Sequence, residues 1–280
     1  MNSESPDDRS FHVAVFAAPD DPHELADALA EVLGIHPTDA MIHSRLAPGI
    51  LPDRLSREQA ERLAAAINEA GLHAESVSAD EIPDFGHGEA VHHVQCPEEG
   101  LDIFGLRGGL DDCVPWNEIE FICVGVVPQE TTKHYLTSEI ATVYSARRTM
   151  PALVEVPVFV GPELWFIRRN PHHAYRVHHK RMNYEYLGER KTDSATVNFR
   201  LFLDDLLRHT PHAYVTPSTR AFLGHDAERL YHFDSTEHLQ RYAQFHYLAH
   251  QRAAKQPTAS ACTKTESPAA SDSSFSRKSP

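Results

Sequence analysis

The stretch SREQAERLAAAINEAGLHAESV, residues 56–77, reads as a capped helix that runs straight into a strand. Ser56 and Gln59 have the spacing of a capping box, in which two side chains satisfy each other's backbone N–H groups. The helix they open places Ala60, Leu63, Ala64 and Ile67 on one face. Gly71 suits its C-terminal stop, because glycine enters the left-handed region without a Cβ penalty. LHAESV (72–77) then returns as a strand.

Working outward, FHVAVFAA (11–18) is strand-like, with Phe11, Val13 and Val15 alternating. Asp21 is a cap with Pro22 at the first helical position, for a helix through Leu25, Ala28, Leu29 and Val32 that Gly34 ends. A second short helix, 37–46, is broken by Ala47-Pro48-Gly49, and GILPDRL follows as an extended segment. The order is β-α-α-β-α-β, a compact open-faced α+β sandwich whose complete patterning predicts independent folding.

These residues resemble the C-terminal domain of the bacterial ribosomal stalk protein L7/L12. The shared features are Ala47-Pro48 before a short strand, Ser56-Arg57-Glu58 and Ala60-Glu61 opening the last helix, and Glu69-Ala70-Gly71 closing it. The resemblance runs from Phe11 to Val77 and implies that fold. That family recruits translation factors through lysines on its first two helices. Asp27, Ala30, Thr38 and Met41 stand at the matching positions here, so that activity is not carried over.

The chain has 280 residues and a net charge of −14, long enough for about two domains at roughly 150 residues each. Residues 1–90 hold 18 Asp and Glu against 5 Arg and no Lys, so the remainder is close to neutral. An acidic chain with an acidic first domain argues against nucleic acid as a partner. The longest apolar run, Phe121–Val127, is far short of the roughly 20 residues of a membrane helix, so no integral membrane association is expected. MNSESPDD lacks the basic and apolar regions of a secretory signal, and the expected location is cytoplasmic. Cys96, Cys113, Cys123 and Cys262 show no CxxC spacing, which predicts reduced thiols and no zinc knuckle.

Residues 1–10 read as a disordered leader, 11–78 as the first domain and 79–90 as a linker. Residues 91–210 read as a larger, mostly antiparallel β domain with a terminal helix, 211–255 as a helical extension and 256–280 as a disordered tail. The fold class is therefore α+β. In the second domain AVHHVQC and GLDIFGLRG flank the turn cluster 97–100 as a hairpin. CVPWNEIEFICVGVV reads as one long strand. ALVEVPVFV and ELWFIRR read as two strands joined by Gly161-Pro162, and HAYRVHH and NYEYLGE as two more. A helix from about Asp193 carries Phe199, Phe202, Leu203, Leu206 and Leu207 on one face and stops at Pro211. A last helix, 235–255, packs through Leu239, Tyr242, Ala243 and Tyr247. Several strands followed by one amphipathic helix, with PW-x-x-I early on, weakly resembles a bacterial PH-like domain.

The most chemical-looking segment is NPHHAYRVHHKRMNYEYLGER, residues 170–190. Asn170-Pro171 favours a turn, making 163–179 a hairpin. Alternation sends Tyr175 and Val177 to one face and Arg176, His178 and Lys180 to the other, so His178 and His179 do not share one metal ion. Residues 147–191 carry nine Lys and Arg against four Asp and Glu. Arg168, Arg169, His172, His173, Arg176, His178, Lys180 and Arg181, with Arg147 and Arg148 nearby, are therefore the candidate partner- or anion-binding residues. Such charges also guard sheet edges against aggregation. The expected partner is an acidic protein surface or the chain's own N-terminal domain, with the histidines gaining charge below about pH 6.5.

No metal site is expected: His246/His250 and His209/His212 lack a third ligand, and HELAD (23–27) lacks the second histidine of HExxH. There is no GxSxG, P-loop or GxGxxG; GLRGGL (105–110) has the wrong spacing. Asp204-Asp205 reads as solvated helix surface. No catalytic residue and no cofactor are assigned. The function expected is non-enzymatic protein interaction, as an adaptor or scaffold. The alternatives are an enzyme with a non-local site in the second domain, and an anion or phospholipid-headgroup-binding module.

Overall fold

The computed structural model describes residues 10–105, 109–136 and 152–255, the side chains of 129–136 and 152–158 excepted. The expected leader (but for Ser10) and tail, with Arg147, Arg148 and Cys262, lie outside the described residues.

The first part follows the expected order: β1 (Phe11–Val15), α1 (Pro22–Leu33), α2 (Pro37–Ser44), β2 (Gly49–Ile50), α3 (Arg57–Glu69) and β3 (Ala74–Ser78). The strands form an antiparallel sheet in the order β2-β1-β3. Local chemistry fixes the helix ends. Asp21 caps α1, Gly34 closes it at φ 65°, and the Ser56–Gln59 capping box opens α3. Leu25, Leu29, Leu63 and Ile67 pack on Val13 and Val15 from one side of the sheet. The open edge of β3 is covered from within: Asn68 bonds both the N–H and the carbonyl of Ala74 at 2.9 Å, and Glu81 accepts from the Ser78 N–H.

The second part is built on a mixed sheet in the order β11-β8-β9-β10-β4, comprising Tyr214–Val215, Ile119–Leu136, Ala152–Arg168, His173–His178 and Glu89–Val91. The β8-β9 and β9-β10 pairings are antiparallel, while β4 and β11 add in parallel. A second sheet pairs β5 (His93–Gln95), β6 (Gly100–Phe104) and β7 (Leu110–Pro115). The remaining helices are α4 (Ala195–His209), α5 (Pro217–Gly224) and α6 (Thr236–Lys255).

Several expectations need correction. The long strand through Trp116 is two strands in different sheets, because Trp116–Glu118 forms a 3-10 turn whose buried indole donates to the Pro97 carbonyl. Gly161-Pro162 is no turn but lies within continuous β9. Pro162 sits one place beyond the last β9-β10 pair, Glu163 with His178, where a missing N–H interrupts no pairing with β10. NYEYLGE is not a strand: Asn183 accepts from the Glu185 N–H and starts a 3-10 segment, Glu185–Arg190, that turns at Gly188. The segment expected as a linker, 79–90, buries Phe85 against Trp165.

Alternation divides the large sheet between two cores. Ile122, Val124, Leu164, Phe166, Tyr175 and Val177 meet Phe199, Phe202 and Leu206 of α4. Phe121, Cys123, Trp165 and Ile167 meet Leu239, Ala243 and Tyr247 of α6. A Cβ on Gly125 would lie 2.6 Å from Phe233 and Leu239, so glycine is what lets β8 approach α6. The opposite face of α6 also has a partner: Phe245 and Leu248 pack on Ala14, Ile50 and Val77, the other side of the first sheet. At 100° per residue, Phe245 and Leu248 point roughly opposite to Leu239 and Ala243. One helix therefore completes both sheets, and burying Phe245 and Leu248 contributes about 1.5–3 kcal/mol each.

Candidate binding cleft beside the shared helix

Where α6 meets both sheets, a cleft of about 820 Å³ opens. Its first wall is the N-terminal sheet, with His12, Ile50, Leu51 and Arg54; its second is the segment 79–84. Arg241, Gln244, Tyr247 and Gln251 of α6 and His172 from the β9-β10 turn close it. Glutamines fasten the segment to the helix: Gln240 donates to the Gly86 carbonyl at 2.7 Å and Gln244 to that of Pro83 at 2.9 Å.

The charges on these walls are unequally engaged. Glu81 accepts from the Ser78 N–H and lies 4.0 Å from Arg252, and Asp84 accepts from the Gly86 N–H at 2.7 Å. Arg54, Arg241 and Asp80 are exposed, and none of the three makes an ion pair within 4.0 Å among the described residues. At the floor, the Tyr247 hydroxyl donates to Glu120, which also accepts from Arg169 Nε at 2.7 Å. His172 Nδ1 lies 3.4 Å from the same hydroxyl. Burial, reinforced by Glu120, raises the Tyr247 phenol above its ordinary value, so it stays protonated.

Of the eight residues singled out in the sequence, only His172 lines this cleft. Arg168 pairs with Asp112 at 2.7 Å and its side chain is only 13% exposed. Tyr175 donates to the same carboxylate. Arg169 pairs with Glu120, and His173 with Glu89 at 2.7 Å. Arg176 lies over the Trp165 ring at 5.8 Å, and Lys180 over Phe159 at 3.0 Å. Arg181 offers its backbone carbonyl to the His92 ring. The basic hairpin is thus not one converging surface. Arg169, His172, Lys180 and Arg181 stay exposed, and the acids it pairs with belong to the second part of the chain, not to residues 11–78.

Two of the hairpin's histidines also behave differently from expectation. His178 and His179 stack at 5.8 Å, and burial, helped by neighbouring cations, pushes both down to about 4. Neither gains charge on going to pH 6. His246 is likewise pushed down to about 4 by burial, and its Nδ1 lies 3.3 Å from the Tyr214 hydroxyl. His250 stacks on Tyr214 at 4.8 Å and His209 on Trp116 at 4.5 Å. Among the described residues no three His, Cys, Asp or Glu side chains are placed to hold a metal ion. Burial pushes the Cys96 and Cys123 thiols up to about 12, so neither is an activated nucleophile.

Asp205 corrects another expectation. It is 4% exposed rather than solvated, and it is held by Arg190, Arg208 and Tyr186. The residues missed from the sequence are Arg54, Arg241 and the α6 glutamines, which carry no local motif. Among the described residues no helix is long and apolar enough to cross a membrane. No protein-family profile, no curated protein and no solved structure matches this chain.

Proposed function

We propose that this protein works by binding, as an adaptor that takes an acidic segment of a partner protein into the cleft beside α6. The observation that carries this reading is that Arg54 and Arg241, on walls contributed by the two parts of an otherwise acidic chain, make no ion pair among the described residues, while Glu237 acts on Arg241 only through space and Asp80, Glu81 and Asp84 share the lining. Pro52, Ile82 and Pro83 supply half-buried apolar surface to the cleft, and Gln251 offers further hydrogen bonds. Kinship of the first domain with the stalk-protein domain belongs to the same reading and is supported by its β-α-α-β-α-β order. Asp27, Thr38 and Met41 line a separate crevice of about 400 Å³ between α1 and α2, without the lysines of that family.

The test is affinity capture from source-cell extract with three full-length baits: wild type, Arg54→Glu/Arg241→Glu, and Arg62→Glu on the outer face of α3. A partner retained by wild type and Arg62→Glu but lost from the double variant is the expected result. If every captured protein is held equally by all three baits, the cleft is not the binding surface.

A further inference from the structure

On the far side of the second domain, α4 and the 3-10 segment 185–190 border a second, open concavity of about 510 Å³, independent of the cleft. Its base is Asp205, which accepts from Arg190 Nη1 at 2.9 Å and Nη2 at 2.7 Å, from Arg208 Nη1 at 3.2 Å and from the Tyr186 hydroxyl at 3.1 Å. Burial alone raises a carboxyl, but the hydrogen bonds and charge of Arg190, with those of Tyr186 and Arg208, hold Asp205 below its ordinary value. One buried anion therefore fixes two cations, and their sum is a single positive charge facing the concavity.

The donor arithmetic points outward. Two guanidiniums carry ten N–H donors, and Asp205 takes three of them. Arg190 and Arg208 are 49% and 70% exposed, so the remaining donors are accessible, while the bidentate bond to Asp205 limits where Arg190 aims and a single bond at 3.2 Å tethers Arg208. Gln95, Cys96 and His209 complete the lining. The Cys96 thiol is kept neutral by burial and by Asp205, so it presents no charge against an incoming anion. Asp204, next in the chain, is exposed and does not line this site.

We infer that this concavity is a phosphate-binding site, in which Arg190 and Arg208, oriented by Asp205, grip the oxygens of a phosphate carried by a small molecule or a lipid headgroup. A tetrahedral dianion matches two forked donors better than a single carboxylate does, because Asp205 already fills the planar position between them. Arg190 serves the fold as well as the ligand; Arg208 stands at the exposed end of α4 and serves mainly the ligand.

The experiment is calorimetric titration of the full chain with inorganic phosphate, comparing wild type with Arg208→Ala. Saturable one-to-one binding is expected, weakened about ten- to a hundredfold in the variant, the usual size of a charged hydrogen bond, with a thermal midpoint lowered by no more than about 4 °C. A parallel arm measures sedimentation with phosphatidylcholine vesicles with and without a phosphoinositide. Arg208-dependent co-sedimentation places the phosphate on a lipid, and its absence places it on a soluble molecule. Wild type that does not bind phosphate, or Arg208→Ala that binds it equally well, overturns the assignment.

Discussion

Replacing Arg168 with Met asks whether the basic hairpin is a surface or a structural joint. Arg168 on β9 reaches Asp112 on β7 at 2.7 Å, and Tyr175 on β10 donates to the same oxygen, so three strands of two sheets meet at one carboxylate. Burial by itself raises the Asp112 carboxyl, but Tyr175 and Arg168 together bring it below its ordinary value. Methionine keeps the stem's packing and removes the charge. What is lost is a longer, exposed bond from Arg168 Nε to the Pro171 carbonyl at 3.2 Å and, chiefly, the charged hydrogen bond to Asp112 at a site 13% exposed on one side and 27% on the other, about 1.5–3 kcal/mol by the usual range. Solvent at Asp112 argues for the lower half, about 2 kcal/mol. Urea denaturation at pH 7 with near-UV circular dichroism measures it, and Arg168→Met/Asp112→Asn closes a double-mutant cycle with an expected coupling near 1 kcal/mol. An Arg168→Met loss below about 0.5 kcal/mol, the ordinary effect of an exposed charge, would refute the joint.

Acid should unfold this protein early. His178, His179 and His246 sit near 4 when folded and near 6.5 when unfolded, so the unfolded chain binds more protons between those values. Stability is complete above about pH 6.5 and falls toward pH 4 by up to about 1.4 kcal/mol per pH unit for each group. His246→Phe should lower the acid midpoint seen by tryptophan fluorescence, and an unchanged midpoint counts against the depressed value. Arg190→Ala, which orphans one side of buried Asp205, should destabilise by about 2–4 kcal/mol in thermal melts; Arg208→Ala should cost under about 1 kcal/mol. Phe245→Ala should cost about 3 kcal/mol and speed limited proteolysis of the segment 79–88; unaltered cleavage there would show that α6 does not tie the two sheets together.

What the sequence disclosed was whatever rests on near neighbours. Ser56 and Gln59 cap across three residues, and the α4 stripe repeats within one helix, so periodicity shows both. Asp205 looked like helix surface because Tyr186 and Arg190, which bury it, come from a segment whose 3-10 path no pattern marks. Gly161-Pro162 looked like a turn because the pairing that carries β9 through it comes from β8. The cleft is assembled from Arg54, the segment 79–84, His172 and α6, and no spacing rule joins such distant positions. The eight hairpin residues were chosen by charge, which carboxylates from other strands offset at Arg168, Arg169 and His173, contacts that no local pattern shows.

The shared helix has a consequence for the order in which the chain is made. The first sheet can fill its α1–α3 side as soon as residue 78 is available, but Ala14, Ile50 and Val77 wait for Phe245 and Leu248. At about 5–20 residues per second, that wait is roughly 8–30 s. During it, the nascent chain carries a half-covered sheet, and a fragment ending at residue 80 would carry it permanently. Ribosome-arrested chains stopped before residue 236 should bind a hydrophobic dye or a holdase chaperone at this face, and chains with α6 fully emerged should release it.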